Sequence, residues 1–149
     1  TFIAGADVHE FPQLGDAASA TALTGEGQRI IGRIAALPCP SCAVLNGHAL
    51  GGGLELALAC DWRVGFAGDE PVYGLPEVQL GVHPGFGGTV RAPRLLGVRR
   101  GLELMLSGRP LRPRDALRAG LIDVLAGPDD WQDAARRLLG RGRRRPRAA

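Results

Sequence analysis

The sequence predicts an α/β fold, from its composition and from two alternating kinds of segment. Its 149 residues are 45% apolar and 22% charged, as in ordinary globular domains, which excludes disorder of the whole chain. Short apolar runs bounded by proline or glycine, such as Cys42–Leu45, are typical of buried strands. Segments with apolar residues at helical spacing, such as 19–37, lie between these runs, and this alternation defines the α/β class.

The predicted strands are short apolar runs that end at turn-forming residues. They comprise residues 1–4, read as the end of a buried strand, and Cys42–Leu45, Trp62–Phe66, Pro71–Tyr73 and Leu121–Leu125. The third and fourth of these strands are expected to form a hairpin around a turn at Gly68 and Asp69.

The predicted helices show apolar residues three or four positions apart, with proline at their starts or just after their ends. They cover residues 19–37, a segment that begins near Leu54, a segment opened by Pro84–Gly88, Val98–Leu106, Arg114–Ala119 and a last helix from Pro128.

The composition excludes several kinds of chemistry. Lysine is absent although arginine occurs 18 times, so no mechanism can use a P-loop lysine, a Schiff base or a lysine general base. The three serines do not form a G-x-S-x-G motif. A single C-x-x-C, at Cys39 and Cys42, and scattered histidines predict no metal site, and we expect the thiols to be free in a reducing compartment.

Positive charge is concentrated at the C-terminus. Residues 1–135 carry 11 arginines and 15 acids, a net −4, whereas residues 136–149 carry 7 arginines and no acid, a net +7. We therefore divide the chain into a domain over residues 1–127 and a helix with an arginine-rich tail or linker over 128–149. The tail is expected to be a solvated terminus, and the alternative is an arginine-tailed nucleic-acid binder.

The hydropathy pattern predicts no membrane span. The longest uncharged stretch, Ile34–Leu54, contains two prolines and three consecutive glycines, which a membrane helix would not tolerate. The first residues do not form a secretory signal, so we expect a cytoplasmic protein.

Two acids stand out because their neighbours are apolar. Glu55 lies within an apolar run and Glu77 follows Pro76, and burying a carboxylate is costly unless it has a partner or a task. The two acids could face one pocket as an acid/base pair. The alternatives are a structural acid held by the helix N-terminus at position 55 and an exposed loop acid at position 77.

The glycine run Gly51–Gly53 lies where a strand passes into a helix. Glycines at such a junction allow the backbone to approach a ligand closely and to point amides at it, although a plain tight turn is the alternative. The small residues after Ile3 could turn another amide into the same pocket, which would pair with the Gly52 amide as an oxyanion hole. No third glycine completes a dinucleotide-binding fingerprint.

Together these segments resemble the crotonase family, also called the enoyl-CoA hydratase/isomerase family. Three stretches carry the resemblance: A-G-A-D at Ala4–Asp7, N-G-H-A-L-G-G-G-L-E at Asn46–Glu55 and P-E-V-Q-L-G-V-H-P-G-F-G-G at Pro76–Gly88. The resemblance implies a crotonase-like (ClpP/crotonase) spiral of ββα units. The family's strands and helix that precede A-G-A-D are not in this sequence, so we expect a domain that is incomplete at the N-terminus.

The resemblance also implies roles for individual residues. The amides of Ala4 and Gly52 would hold the thioester oxygen of an acyl-CoA, and Glu55 and Glu77 would be the catalytic acids. Pocket and coenzyme A contacts would come from Ala6, Asp7, His48, Gly51, Pro76 and Gly85. No cofactor is implied, because the substrate itself carries the coenzyme A.

The resemblance is greatest to the hydratase part of the multifunctional fatty-acid oxidation complex α subunit. It implies hydration of 2-enoyl-CoA in β-oxidation, since members that only isomerise usually keep a single acid. It also implies a homo-oligomer (trimer or hexamer) or a multienzyme complex, and we expect no nucleic-acid partner. The alternatives are an enoyl-CoA isomerase or another acyl-CoA activity, and a fragment inactive because the preceding strands are missing.

Overall fold

The strands of the chain form two small parallel sheets in a computed structural model that describes residues 1–5, 15–70 and 72–144. The first sheet has the order β1 (Cys42–Leu45), β3 (Trp62–Phe66), β5 (Val124–Ala126), with Val44 opposite Val64 and Val64 opposite Val124. The second sheet pairs β2 (Ala49–Leu50) with β4 (Tyr73–Gly74).

Helices surround these sheets at nearly the predicted positions. They are α1 (Ala17–Ala35), α2 (Gly52–Ala59), a 3₁₀ helix (Pro76–Leu80), α3 (Gly88–Leu96), α4 (Val98–Ser107), α5 (Pro113–Ala119) and α6 (Trp131–Leu139). The Asp16 carboxylate caps α1 by accepting a 2.8 Å hydrogen bond from the Ser19 amide. No helix in the described ranges is long and apolar enough to cross a membrane.

Two apolar clusters hold the elements together. The larger cluster joins α2 to the sheets and to α3, α4 and α5, through fully buried residues such as Leu45, Leu54 and Tyr73. The smaller cluster packs Ala134 and Leu138 of α6 against Val64 of β3. Because β3 has neighbours on both sides and α6 on one face, it is the central strand of the fold.

The predicted hairpin is wrong. β3 lies between β1 and β5, whereas β4 pairs with β2 in the other sheet. Turn residues between two apolar runs indicate a reversal of direction but do not identify the strand with which each run pairs. Pro71, the first residue of the predicted fourth strand, lies outside the described residues.

Three element boundaries also differ from the prediction. The segment 1–4 contributes only a parallel bridge from Ile3 to Ala49, and Ile3 is 37% exposed, so it is not a buried strand. The last strand begins at Val124, because Leu121 and Ile122 point into the core from a turn. The last helix begins at Trp131, since the Asp130 carboxylate accepts the Gly127 amide and closes a turn before it.

The segment Gly140–Arg144 docks on the domain, so the expected solvated terminus is wrong for these residues. The Trp62 indole donates to the Gly142 carbonyl at 2.8 Å, and the Arg144 guanidinium lies 5.1 Å from the Trp62 ring centroid. Arg144 also donates to Asp123 at 2.7 Å, and its amide donates to Asp61 at 3.0 Å. Arg145 and Arg147 lie outside the described residues.

Arg63 is a buried charge at the centre of this contact. It is 1% exposed, it donates to the Leu121 and Cys60 carbonyls at 2.8 Å each, and it pairs with Asp123 at 3.2 Å. Burial lowers the pKa of its guanidinium, and the charge of Asp123 opposes this effect. The cost of desolvating Arg63 is offset only because its donors have these acceptors.

We expect Arg63→Met to lower the free energy of unfolding by roughly 3–5 kcal/mol. The substitution leaves Asp123 and the buried carbonyls that Arg63 binds without a hydrogen-bond donor. Arg29 is the control, since its ion pair with Glu26 is exposed, and Arg29→Met is expected to leave the free energy of unfolding nearly unchanged. Urea denaturation measures both changes, and equal losses would show that the Arg63 network contributes no more than a surface pair.

Candidate active site

Glu55 lies inside the domain on the first turn of α2. Its side chain is 1% exposed, and Oε1 accepts hydrogen bonds from the amides of Phe86 and Gly88, each at 2.7 Å. A Cβ atom at position 88 would lie 3.0 Å from that oxygen, so a glycine there lets the amide approach. Two backbone groups therefore hold Oε1 and fix the orientation of the carboxyl.

The start of α2 brings two backbone amides to the same region. Gly51 has a φ of 52° and a ψ of −128°, a conformation that favours glycine, and it turns the chain into the helix. A Cβ atom at Gly53 would overlap the Ile3 carbonyl, so the peptide group that joins Ile3 to Ala4 packs directly on the first helical turn. Within the described ranges, the amides of Ala4 and Gly52 have no acceptor. The predicted oxyanion donors are therefore neighbours.

Glu77 lies on the 3₁₀ helix that Pro76 opens, and its carboxyl is next to Gly51 at the start of α2. Its side chain is half-buried, and Oε2 is buried with no hydrogen-bond partner among the described residues. Oε1 lies 3.0 Å from the position that a Cβ atom at Gly51 would occupy. The bare Gly51 backbone thus gives the Glu77 carboxyl room beside the start of α2.

Burial raises the pKa of both carboxyl groups. For Glu55, the amides of Gly88 and Phe86 and the charges of Arg91 and His83 partly oppose this rise. For Glu77, the charge of Glu55 raises the pKa further, and His83 lowers it. The two acids therefore titrate as a coupled pair. A raised pKa makes a carboxyl group easier to protonate, which suits it to acid/base chemistry.

Among the remaining predicted site residues, His48 and Gly85 form hydrogen bonds with other parts of the protein. His48 accepts the Val72 amide at Nδ1, and its carbonyl accepts the amides of Phe2 and Ile3. The Gly85 carbonyl accepts the Gln28 side chain at 2.7 Å. These contacts are with the protein, and substrate contacts for His48, Gly51, Pro76 and Gly85 stay predictions. Ala6 and Asp7 lie outside the described residues.

Sequence reasoning assigned no role to Phe86, Gly88 or Arg91. Phe86 and Gly88 supply the amides that hold Glu55, and the Arg91 guanidinium binds the Phe86 carbonyl at 2.8 Å. Backbone donors leave no side-chain signature, so only the glycines of this loop hinted at a close approach.

Two of the three cysteines, Cys42 and Cys60, are unsuited to act as nucleophiles. Cys39, Cys42 and Cys60 are free thiols. Burial raises the pKa of Cys42 to about 11 and also raises that of Cys60, which keeps both thiols protonated at neutral pH. Among the described residues, no group of His, Cys, Asp and Glu side chains is arranged to hold a metal ion.

Comparison with known proteins identifies the family. The family model described as enoyl-CoA hydratase/isomerase matches residues 1–149, so the chain belongs to this family, which is the crotonase family. The resemblance noted from the motifs is thereby confirmed.

Solved structures confirm the crotonase fold class. The chain superposes with a TM-score of 0.83 on an enoyl-CoA hydratase structure from Geobacillus kaustophilus, at 38% identity over 93% of this chain and 53% of that one. For the Bacillus anthracis enoyl-CoA hydratase the TM-score is 0.81 at 34% identity, over 93% and 52% of the two chains. For Pseudomonas aeruginosa DspI the TM-score is 0.82 at 33% identity, over 94% of this chain and 56% of that one. The chain thus spans about half the length of these structures.

Proposed function

We propose that the chain carries the catalytic centre of an enoyl-CoA hydratase, which adds water across the 2,3 double bond of a 2-enoyl-CoA. The observation that supports this proposal best is the convergence of two desolvated carboxyls, Glu55 and Glu77, beside the amides of Ala4 and Gly52, which have no acceptor among the described residues. Coupled acids suit proton transfer, and paired amides suit a carbonyl oxygen that becomes negative.

In the proposed reaction, each group has one task. Water attacks the β-carbon while one carboxylate takes a proton from it, and the electron pair of the double bond moves onto the thioester, whose oxygen becomes an enolate. The Ala4 and Gly52 amides stabilise that negative charge. The other carboxyl then delivers a proton to the α-carbon, which completes the addition of water. Because the acids titrate together, we do not divide these two steps between Glu55 and Glu77.

The setting of this activity is also proposed. We place it in fatty-acid β-oxidation in the cytoplasm, with a homo-oligomer or a multienzyme complex as the assembly. Ala6 and Asp7 would lie along the coenzyme A of the substrate. No cofactor takes part in the steps above, since carboxyls and amides supply every proton transfer and charge interaction in them.

Isomerisation of an enoyl-CoA is the second candidate, because the family includes both activities. Moving a double bond needs a proton taken from one carbon and returned to another, which a single carboxylate can perform. A second acid close enough to perturb the first favours hydration, since water must be activated while the α-carbon is protonated.

Nucleic-acid binding by the arginines loses support from the structure. Arg144 is paired with Asp123, and Arg143 donates to the Ala35 carbonyl at 2.7 Å. Guanidinium groups held by protein acceptors contribute less to a phosphate-binding surface than free ones.

The proposed activity is tested with the purified 149-residue chain and two substrates. Crotonyl-CoA reports hydration, because the absorbance of its conjugated enoyl thioester is lost. A 3-enoyl-CoA reports isomerisation, because that conjugated absorbance appears. We expect hydration to dominate. Isomerisation without hydration would establish the second candidate, and the absence of both reactions would contradict the proposed function of this chain.

A further inference from the structure

We propose that Arg91 is a positioning residue for Glu55, which it orients by holding the Phe86–Gly88 loop whose amides bind the carboxyl. This inference rests on the proposed function, in which Glu55 transfers a proton. Arg91 lies on the first turn of α3, and its side chain is half-buried beside that loop.

The contacts form a continuous path from Arg91 to the carboxyl. Arg91 Nη1 donates to the Phe86 carbonyl at 2.8 Å, and the Phe86 amide donates to Glu55 Oε1 at 2.7 Å. The Gly88 amide, in the peptide group that joins Gly87 to Gly88, donates to the same oxygen at 2.7 Å. Arg91 therefore holds the peptide group that lies between the two amides.

The two glycines after Phe86 are needed for different reasons. A Cβ atom at Gly88 would lie 3.0 Å from Glu55 Oε1, whereas a Cβ atom at Gly87 would overlap the Arg91 guanidinium. Gly87 also has a φ of 106°, which disfavours other residues. The first glycine thus makes room for Arg91, and the second makes room for Glu55.

Other contacts do not replace Arg91. The Gln28 side chain holds the preceding peptide group through the Gly85 carbonyl, and the Phe86 ring packs between Gly27 and Gly52. In the described part of the chain, the Phe86 carbonyl accepts a hydrogen bond from Arg91 and from no other group. Removing the guanidinium therefore frees the middle of the loop while its ends stay attached.

The charge of Arg91 acts on the same carboxyl. Arg91 and His83 are the side chains whose electrostatic effect lowers the pKa of Glu55, and Glu77 is the second acid near it, on the 3₁₀ helix. Without Arg91, we expect the pKa of Glu55 to rise. The limb of the rate profile that Glu55 controls then moves to higher pH, and this is the acid limb if Glu55 takes the proton and the alkaline limb if it delivers one.

Steady-state kinetics across pH with crotonyl-CoA test the positioning role. We expect Arg91→Met to lower kcat by roughly 10- to 100-fold with little change in KM, since a misplacement of about 1 Å costs on the order of 10²-fold. The limb of the rate profile that Glu55 controls moves to higher pH, and Arg91→Lys, which keeps the charge, restores its position. Arg94→Met is the matched control, because Arg94 lies one turn further on α3 and is exposed.

Carboxyl ¹³C NMR titration of Glu55 tests the same inference without turnover. We expect the pKa of Glu55 to rise in Arg91→Met and to stay unchanged in Arg94→Met. An unmoved pKa together with wild-type kcat in Arg91→Met overturns the inference, as do equal effects of the two variants. If the wild-type chain hydrates no enoyl-CoA, the proposed function fails, and the NMR titration alone decides whether Arg91 controls Glu55.

Discussion

Replacing either Glu55 or Glu77 by glutamine is expected to lower kcat for crotonyl-CoA hydration by roughly 10²–10⁴-fold, the usual contribution of general acid–base catalysis. Glutamine keeps the size of the side chain and its acceptor oxygen, but it neither takes nor delivers a proton. Substrate binding changes much less, so the loss falls in kcat rather than in KM. Glu103→Gln on α4 is the control, since it removes the same charge from an exposed position.

Stability distinguishes loss of chemistry from loss of structure in these variants. Burial raises the pKa of Glu77, so the folded state favours the protonated form. Its contribution to stability is present at low pH and is lost as the pH rises through the raised pKa. Glu77→Gln is therefore expected to melt at or above the wild-type temperature at pH 7. Near wild-type turnover in either acid variant would contradict the catalytic assignment.

Removing the amide of Gly52 is the second large expected effect. Gly52 is the first residue of α2, where proline is tolerated because that N–H makes no helical hydrogen bond. Gly52→Pro keeps the helix but deletes the donor, and the loss of one oxyanion donor costs about 10²–10³-fold in kcat. We expect at least this loss, measured with crotonyl-CoA.

The matched control for that variant is Gly52→Ala. A Cβ atom at position 52 would lie 3.0 Å from the Phe86 ring, so both substitutions crowd this ring, but alanine keeps the N–H. The difference in kcat between the two variants therefore isolates the donor from the crowding. If Gly52→Pro and Gly52→Ala are equally active, the oxyanion is stabilised elsewhere. Gly52→Val adds more bulk toward Phe86 and is expected to be inactive.

Much of the fold was predictable because burial leaves a signature in the order of residues. The bounds of Cys42–Leu45 and Trp62–Phe66 match the observed strands, since an apolar run between turn residues has few other uses. Glu55 was recognisable for the converse reason. A carboxylate within an apolar run is too costly to persist without a partner, and the amides of Phe86 and Gly88 are that partner.

What the sequence did not reveal depends on contacts between distant segments. The pairing of β4 with β2 instead of β3 joins distant segments, and no local pattern encodes it. The Arg91 guanidinium binds the backbone carbonyl of Phe86, so no side chain on the accepting residue marks the contact in the sequence. Arg144 has the same appearance in sequence whether it is solvated or paired with Asp123, and only the fold distinguishes the two cases.

The bonds that join Asp123 to Arg63 and to Arg144 limit the order in which the chain can fold during synthesis. Arg63 leaves the ribosome 60 residues before Asp123, and Arg144 follows after a further 21. Until then its guanidinium has to stay hydrated, because burying it without the acid is too costly. The Arg63 side chain is therefore expected to become buried only after Asp123 has been synthesised. Contacts this distant in sequence also form slowly, because a long loop has to close first.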